Sequence, residues 1–255
     1  MDVGIDQVGD IAILNFHKKY FCLRKLFYAL KVLKNKNLNV ILEKKGFVSG
    51  ELRKTSLKHL LGERRKETIH NENGCKFFLD VDKTYFSPRL ANERNVVCSE
   101  IAKKIRRNQR VLVMFAGIAP FPIVLGKKLK QNKKFNEIIS SELNKEASEF
   151  AIKNIKLNKL NKFIKVVVGD SRKLKEGKFK FIIMARPNLD ETFLKSALKY
   201  SIKGTKIYYY GFGSKEKVLE EIKKDSDKKI GRIKIRKAGD IGPKKWRWLA
   251  EFIVR

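Results

Sequence analysis

Short apolar runs alternate with amphipathic stretches from residue 111 to the end of the chain. The first run, 111–115, gives way at Gly117 to a helical pattern that begins with Pro120. Period and length predict strands at residues 111–115, 138–141, 164–168, 181–184, 206–212, 233–236 and 248–254. They predict helices at residues 120–130, 145–157, 191–200 and 215–224. Helices between short strands imply right-handed crossovers and a mostly parallel, doubly wound α/β sheet of seven strands.

The part of the chain before residue 111 is less regular. Strand-like runs at 11–14 and 40–42 flank a basic helical stretch at 21–33, and Lys-rich turns separate them. The turn signal Asn71-Glu-Asn-Gly74 precedes a further strand at 76–82. We therefore expect a small α+β domain over residues 1–75 and a larger domain over residues 76–255.

A helix is predicted from Pro88 to about residue 106, because Ser87 is a favourable N-cap and proline suits the first helical position. Its apolar residues share one face at helical spacing: Leu90, Val97, Ile101 and Ile105. Glu93 and Arg94 fall on or beside this inward face. Charges in that place indicate either a local ion pair or the lining of a site, and periodicity leaves both interpretations open.

The charge balance points to a partner, because the chain carries 59 Lys and Arg residues against 27 Asp and Glu, a formal net charge of +32. Such a surface repels itself unless it meets a polyanion, and nucleic acid is the polyanion that this composition favours. A Lys-rich genome or a hot habitat is the alternative explanation. The basic residues are spread along the chain, which favours a folded binding face over a disordered arm.

The cysteines and histidines argue against a metal site. Cys22, Cys75 and Cys98 lie far apart, and neither they nor the 3 histidines have the spacing of metal ligands. A sparse, odd set of cysteines is typical of a reducing cytoplasm. No apolar run reaches the length of a membrane span, and the N-terminus lacks a signal-peptide pattern. We expect a soluble cytoplasmic monomer without a metal or a membrane segment.

Ends of neighbouring strands carry groups that suit a ligand site at the carboxyl edge of the predicted sheet. Gly117 turns the chain after the first strand, Glu142 ends the second and Asp170 ends the third. A carboxylate at the second position can accept hydrogen bonds from a ribose diol, and Asp170 can meet an adenine edge. A lone acid after a strand is commonly a helix cap, but two such acids behind a glycine turn favour a nucleoside ligand.

NAD and S-adenosylmethionine both fit an acid at the end of the second strand. Ala119 takes the next glycine slot after Gly117, so the turn lacks the close pyrophosphate approach of a dinucleotide fingerprint. This difference favours S-adenosylmethionine. The last elements agree, because a strand containing Tyr208-Tyr-Tyr, a helix and two further strands form the usual ending of a seven-stranded methyltransferase.

A set of motifs carries a family resemblance over almost the whole chain. They are Gly9-Asp-Ile-Ala-Ile13, Asp82-Lys-Thr-Tyr-Phe-Ser-Pro-Arg-Leu-Ala-Asn-Glu-Arg94, Met114-Phe-Ala-Gly-Ile-Ala-Pro-Phe121, Glu142-Leu-Asn, Asn154-Ile-Lys-Leu-Asn158 and Ile207-Tyr-Tyr-Tyr. Together they resemble the archaeal and eukaryotic tRNA (guanine-37-N1)-methyltransferases, whose superfamily includes the wyosine-forming enzymes. The resemblance implies a Rossmann-like class I methyltransferase domain, preceded by the small α+β domain as an RNA-binding or linking part.

The resemblance also implies roles for the matching residues. Glu93 matches the general base, with Arg94 beside it, and Arg53 matches the arginine that stabilises charge on the target guanine. Tyr85 matches an aromatic position close to the base and the cofactor. The positions implied for binding S-adenosylmethionine are Phe115, Ala116, Gly117, Pro120, Glu142, Leu143, Asp170, Ser171, Ala185 and Pro187. The implied RNA contacts are Arg89 and Arg186.

The implied reaction is methyl transfer from S-adenosylmethionine to N1 of guanosine 37, in the anticodon stem-loop of tRNA. Guanine N1 bears a proton, so a carboxylate such as Glu93 has to take it, and a guanidinium such as Arg53 can hold the charge that develops on O6. The methyl group is already activated on sulfonium, so alignment and deprotonation remain for the enzyme. The target base has to leave its stack, and Tyr85 can support it there.

Three substitutions depart from the family pattern and keep alternatives open. Val113 stands where the family usually has an acid, Ala119 where it has a second glycine, and Met184-Ala-Arg-Pro187 where N1-methylating members have Asn-Leu-Pro. Without the asparagine, C7-methylation of the wyosine precursor 4-demethylwyosine at position 37 of tRNA-Phe stays open, alone or beside N1-methylation. A non-catalytic RNA-binding protein on a methyltransferase fold is the other alternative. An N-terminal domain that many relatives have is expected to be absent.

Overall fold

The computed structural model describes residues 3–16, 21–49, 54–175, 177–227, 229–242 and 245–255. The chain forms two compact units, Met1–Pro88 and Arg89–Arg255. It therefore divides after Pro88, and not after residue 75 as we expected from the turn signal. Division at residue 75 would separate two strands that pair across that turn, from Glu72–Cys75 to Glu67–Asp80.

The first unit contains a four-stranded sheet and a separate two-stranded hairpin. Its elements are β1 Val3–Val8, β2 Ile11–Phe16, α1 Cys22–Leu33, β3 Val40–Ser49, β4 Lys54–Gly62, β5 Glu67–Glu72 and β6 Cys75–Asp80. The strands lie in the order β1-β2-β3-β4; β2 and β3 are parallel, and the other neighbours are antiparallel. One core cluster of this unit contains Ala12, Leu14, Ala29, Leu38 and Ile41.

Three strands of this unit have no counterpart among the predicted elements. They are β1, β4 and β5. Both β1 and β4 are edge strands of their sheet, where charged side chains are common because they discourage pairing with other chains. Their apolar alternation is therefore too weak to predict a strand. The hairpin of β5 and β6 turns at Asn73 and Gly74, both with positive φ, as the turn signal predicts.

A polar network ties the turn between β1 and β2 to the start of β5. The Asp10 carboxylate accepts hydrogen bonds from the Arg65 guanidinium, from the Thr68 hydroxyl at 2.7 Å and from the Asn39 side-chain amide at 2.9 Å. The hydrogen bond from Arg65 lowers the pKa of Asp10 far below its ordinary value, although partial burial opposes this shift. The network therefore holds an ionised Asp10 at neutral pH.

The second unit is an α/β domain built on a seven-stranded sheet. Its elements are α2 Ala91–Lys104, β7 Val111–Met114, α3 Pro120–Gln131, β8 Ile138–Glu142, α4 Lys145–Leu157, β9 Ile164–Val168, β10 Phe179–Met184, α5 Leu194–Lys199, β11 Ser201–Gly213, α6 Lys215–Ser226, β12 Lys234–Gly242 and β13 Lys245–Ile253. The strand order is β12-β13-β11-β10-β7-β8-β9, and the pairs that involve β13 are antiparallel while the others are parallel. The predicted mostly parallel, doubly wound sheet is confirmed.

Two helices of this unit begin at different residues from those predicted. The helix predicted from Pro88 begins as a 3₁₀ turn, Pro88–Leu90, and becomes α-helical at Ala91. The helix predicted over 191–200 is reduced to Leu194–Lys199, because Phe193 before it has a left-handed backbone and Thr192 accepts a hydrogen bond from the Leu194 N–H. No helix in the described ranges is long and apolar enough to cross a membrane.

The tyrosines of β11 show that helices cover both faces of the sheet. The ring of Tyr210 packs against Phe121 of α3, with ring centroids 5.9 Å apart. The hydroxyl of Tyr209 donates to Glu221 of α6 at 3.0 Å. Successive residues of a strand point to opposite faces, so α3 and α6 lie on opposite sides of the sheet. The order of the strands reverses at β7, which lies between β8 and β10 and thereby marks the place for a ligand.

Replacing Asp10 with Asn is expected to lower the free energy of unfolding by about 2 kcal/mol, because hydrogen bonds to charged groups contribute more than neutral ones. Urea unfolding at pH 7 measures the change. Asp240→Asn is the matched control, since Asp240 is exposed on β12 and its substitution should change stability by less than about 0.5 kcal/mol. Equal stabilities of the two variants would contradict a structural role for the network.

Candidate active site

The turn between β7 and α3 has an unusual backbone. Phe115, Gly117 and Ala119 have φ angles of 60°, 57° and 66°. The N–H of Ala116 donates to the carbonyl of Ser141 at 3.0 Å, which fixes the turn against the end of β8. Ala119 is the N-cap of α3 and adopts a left-handed conformation that costs an alanine about 1–2 kcal/mol. Ala119, which stands where the expected pattern has a second glycine, therefore adopts the left-handed backbone that a glycine adopts at no steric cost.

Glu142, at the end of β8, contacts this turn. Its Oε2 accepts a hydrogen bond from the N–H of Gly117 at 2.7 Å, and its Oε1 accepts one from the N–H of Asn144 at 2.8 Å. Asn144 caps α4 with its own side chain, which aims its backbone N–H back at Glu142. Burial raises the pKa of Glu142 above its ordinary value, although these backbone donors oppose the shift. The sequence thus brings Gly117 and Glu142 into direct contact, as the positions of the strand ends predict.

The end of β9 places Asp170 beside an arginine. The Asp170 carboxylate caps the 3₁₀ turn Ser171–Lys173 by accepting from the Arg172 N–H at 2.9 Å. It also accepts from the Arg172 guanidinium, whose Nη2 lies 2.6 Å away. This side-chain hydrogen bond lowers the pKa of Asp170, and partial burial opposes the effect. The neighbouring hydroxyls of Ser171 and Ser141 lie 3.0 Å apart, which joins the ends of β8 and β9.

Side chains of the segment after β10 contact side chains that follow β9 and β7. Arg172 donates to Glu191 at 2.8 Å, and its guanidinium lies 5.0 Å from the centre of the Phe193 ring. Phe193 meets Phe115 edge to face, with centroids 4.9 Å apart. Loops that follow β7, β9 and β10 therefore surround one edge of the sheet and are linked by side-chain contacts. This is the edge at which parallel α/β sheets bind ligands.

Arg186, in the same segment, is buried, with 2% of its surface exposed. Its Nη1 donates to the hydroxyl of Tyr209 at 2.5 Å, its Nη2 donates to the carbonyl of Leu189, and Glu221 lies 3.6 Å away. The guanidinium of Arg186 therefore faces the protein interior in this structure, which does not support the RNA contact expected at this position. Arg186 instead anchors the loop that follows Ala185, whose N–H donates to the carbonyl of Met114 at 3.2 Å.

Glu93 lies in the first turn of α2 and is buried, with 8% of its surface exposed. Its Oε1 accepts from the Tyr210 hydroxyl at 2.8 Å and from Nη2 of Arg236 at 3.0 Å, and its Oε2 accepts from Nη1 of Arg236 at 2.8 Å. Burial and the charge of Glu93 raise the pKa of Tyr210 well above its ordinary value, so this hydroxyl stays protonated and donates. The ion pair at this helix face thus joins Glu93 of α2 to Arg236 of β12, which is distant in sequence.

A family model described as the TRM5/TYW2 methyltransferase domain matches residues 68–235 of the chain. The chain belongs to this family. The tRNA (guanine(37)-N(1))-methyltransferase Trm5b of Pyrococcus abyssi is 37% identical over 84% of this chain and 61% of its own length. The tRNA (guanine(37)-N(1))/4-demethylwyosine(37)-methyltransferase Taw22 of Nanoarchaeum equitans is 40% identical over 62% of this chain and 50% of its own.

A solved structure shares the fold of this TRM5/TYW2 chain. Methanocaldococcus jannaschii Trm5 in complex with adenosine has a TM-score of 0.82 and 30% identity, over 98% of this chain and 72% of that one. The predicted Rossmann-like methyltransferase fold and the predicted family are therefore confirmed. The chain spans 61% and 50% of the lengths of the two curated relatives.

The remaining residues with expected roles lie on several segments of this TRM5/TYW2 chain. Arg94 is buried beside Glu93 on α2, and Arg89 is exposed in the 3₁₀ turn before it. Tyr85 is half-buried in the segment that follows β6, within the first unit. Arg53 lies outside the described residues. The structure thus places Glu93 and Arg94 together on one helix that Arg89 precedes.

The positions expected to bind the cofactor gather at the carboxyl edge of the sheet. Pro120 is the first residue of α3, Leu143 is exposed directly after Glu142, and Pro187 is buried in the loop after β10. They join the groups already described at the ends of β7, β8, β9 and β10. Among the described residues, no cluster of His, Cys, Asp and Glu could hold a metal ion.

Sequence patterns did not identify several residues of this site. Tyr210 and Arg236 hold Glu93, while Arg172 holds Asp170 and Asn144 holds Glu142. Because successive residues of a strand point to opposite faces, the run Tyr208-Tyr-Tyr could have shown that Tyr208 and Tyr210 face the same side of the sheet. The arginines gave no signal, because they are a few among 59 basic residues and their partners are distant in sequence.

Replacing Arg186 with Gln is expected to lower the free energy of unfolding by about 3 kcal/mol, because it removes a buried guanidinium that donates to Tyr209 and Leu189 and lies near Glu221. Thermal and urea unfolding measure this loss. Arg232→Gln removes the same charge from an exposed position and should change stability little. An Arg186 variant of unchanged stability but weakened RNA binding would contradict the anchoring role and restore the RNA contact.

Proposed function

We propose that this chain transfers the methyl group of S-adenosylmethionine to N1 of guanosine 37 in the anticodon stem-loop of tRNA. The observation that carries this proposal is Glu93, a buried carboxylate held in place by hydrogen bonds from Tyr210 and Arg236. Membership of the TRM5/TYW2 family supports it, as does the activity for which the Pyrococcus abyssi relative is named.

Glu142 supports the choice of cofactor. It is a partly buried carboxylate whose hydrogen-bond donors are backbone N–H groups, and desolvation raises its pKa. Further hydroxyl donors would favour its charged form, and a ribose diol supplies two of them. The Methanocaldococcus jannaschii protein was solved in complex with adenosine, which supports a nucleoside as the ligand of this fold. S-adenosylmethionine, when bound, supplies a methyl group that is already activated on sulfonium.

The residues that we propose to hold the cofactor surround Glu142. The Gly117 N–H fixes the Glu142 carboxylate beside the turn before α3, and Asp170 with Arg172 lies at the position proposed for the adenine edge. Side chains and backbone that line the same edge are Phe115, Ala116, Pro120, Leu143, Ser171, Ala185 and Pro187. This set fits a nucleoside because it combines a diol acceptor, a polar edge and apolar walls.

Glu93 is the proposed general base. A carboxylate that accepts the N1 proton turns N1 into the nucleophile, and Tyr210 and Arg236 keep that carboxylate in one orientation. The resemblance assigns charge stabilisation at O6 to Arg53 and support of the extruded base to Tyr85. Arg94, buried beside the base, is proposed to shape the same site.

The RNA surface is proposed to include exposed Arg89 and the basic faces of both units. A net charge of +32 provides phosphate affinity without sequence specificity, which suits a substrate recognised largely by its shape. We propose that the first unit binds or links the RNA. Arg186 is left out of this surface because it is buried.

A second candidate reaction is methylation of 4-demethylwyosine at position 37. Ala185 at the end of β10 favours it, because alanine offers no side-chain amide to an unmodified guanine. The Nanoarchaeum equitans relative is named for both activities. The two reactions are compatible on one chain, so both substrates belong in the test.

Incubation with labelled S-adenosylmethionine and unmodified tRNA should yield 1-methylguanosine, identified by nucleoside mass spectrometry. Glu93→Gln should lower the single-turnover rate by about 100-fold or more, because general-base catalysis contributes that range. Glu149→Gln is the control, since Glu149 is exposed on α4. Product from 4-demethylwyosine-containing tRNA alone would favour the second reaction, and full activity of the Glu93 variant would contradict its role as the base.

Glu142→Gln should weaken the binding of S-adenosylmethionine at least tenfold, because a hydrogen bond to a charged acceptor contributes about 1.5–3 kcal/mol. Isothermal titration calorimetry on the protein without tRNA measures this affinity. Glu149→Gln should bind as the wild type does. Equal affinity of the two variants would contradict the diol role, and a wild type that binds no cofactor at millimolar concentration would favour a non-catalytic RNA-binding protein.

A further inference from the structure

The Glu93 carboxylate accepts hydrogen bonds from a residue on an edge strand of the seven-stranded sheet. Arg236 lies on β12, the edge strand, and its two terminal nitrogens reach both oxygens of the carboxylate, at 2.8 and 3.0 Å. We propose that Arg236 is a positioning residue for Glu93, which fixes the plane of the carboxylate and keeps it ready to accept a proton. The catalytic part of this inference rests on the proposed function, in which Glu93 is the base.

The hydrogen bonds leave room for a substrate. A carboxylate offers about four acceptor sites, two on each oxygen. Oε1 takes one hydrogen bond from Tyr210 and one from Arg236, while Oε2 takes one from Arg236. The remaining acceptor site is therefore on Oε2, and the fork of the guanidinium determines where that site points. Tyr210 comes from the buried side, with 3% of its surface exposed, and cannot set the plane by itself.

Arg236 is also the cation that matches the charge of Glu93. The other titratable groups around the pair are Tyr210 on β11, Cys98 and Arg94 on α2, and Glu251 on β13. Tyr210 stays protonated, and Glu251 adds negative charge. A buried carboxylate without a hydrogen-bonded cation takes up a proton more readily, and a protonated Glu93 cannot act as a base.

The first test is the pH dependence of single-turnover methylation at saturating tRNA. Arg236→Gln should move the acid limb of the profile about one pH unit upward, which corresponds to a tenfold lower rate below the limb. Arg236→Lys keeps the charge but loses the fork, so its acid limb should stay near that of the wild type while its plateau rate falls. Lys234→Gln, two residues earlier and exposed on the same strand, should leave the limb in place.

A double variant separates positioning from a structural role. If Arg236 acts through Glu93, adding Arg236→Gln to Glu93→Gln should cost less than about twofold in rate, whereas independent effects would multiply. A limb that does not move in Arg236→Gln, or rate losses that multiply in the double variant, would overturn the inference.

A measurement without tRNA keeps this inference distinct from the proposed function. Urea unfolding should show that Arg236→Gln destabilises the chain most at pH 7, with a loss that shrinks toward pH 4 as the unpaired carboxylate is protonated. Lys234→Gln should show no such trend. A loss that is constant with pH would overturn the role of Arg236 as the partner of an ionised Glu93. A wild type that methylates no tRNA would instead overturn the proposed function, and the unfolding data would still decide the ion-pair role.

Discussion

Burial of ionised carboxylates is the constraint on which both halves of the candidate site depend. A buried charge is costly unless hydrogen-bond donors surround it. Glu93 meets this requirement with the Arg236 guanidinium and a tyrosine hydroxyl, whereas Glu142 meets it with backbone N–H groups. The two arrangements suit different tasks. A cationic partner keeps a carboxylate ionised and fixed for proton transfer. A carboxylate that accepts only from neutral N–H groups is instead stabilised further when a ligand hydroxyl donates to it.

Strand β11 connects the two faces of the sheet through its period of two residues. Tyr210 points toward α2 and supports Glu93, and Tyr209 points toward α6 and holds Arg186, which in turn holds the loop after β10. A shift of β11 by one residue would exchange these two faces. Its register is fixed on both sides, by pairing of Tyr208 with Ile183 of β10 and of Tyr210 with Leu249 of β13. The site is therefore built by the sheet rather than by loops alone.

The sequence was sufficient for features that depend on local patterns. Alternating apolar and amphipathic stretches predicted the strands and helices of the second unit, and strand ends predicted the contact between Gly117 and Glu142. It failed where the deciding partner is distant. The resemblance implied an RNA contact for Arg186, but the pairing of this side chain with Tyr209 is a property of the folded sheet. The polar edge strands β1 and β4 were missed because they bury too little apolar surface on either face to leave a regular alternation.

The loop after β10 bears on the choice of substrate. Ala185 presents a methyl group where the family resemblance implies an asparagine in N1-methylating members, and Arg186 beside it turns inward. Neither side chain can therefore read the polar edge of a guanine. Under the proposed function, recognition of N1–H then falls chiefly on the proposed base, so base recognition and catalysis would share Glu93. Such an arrangement would discriminate poorly by binding and strongly by reaction, because only a base that brings a transferable proton to Glu93 would complete N1-methylation.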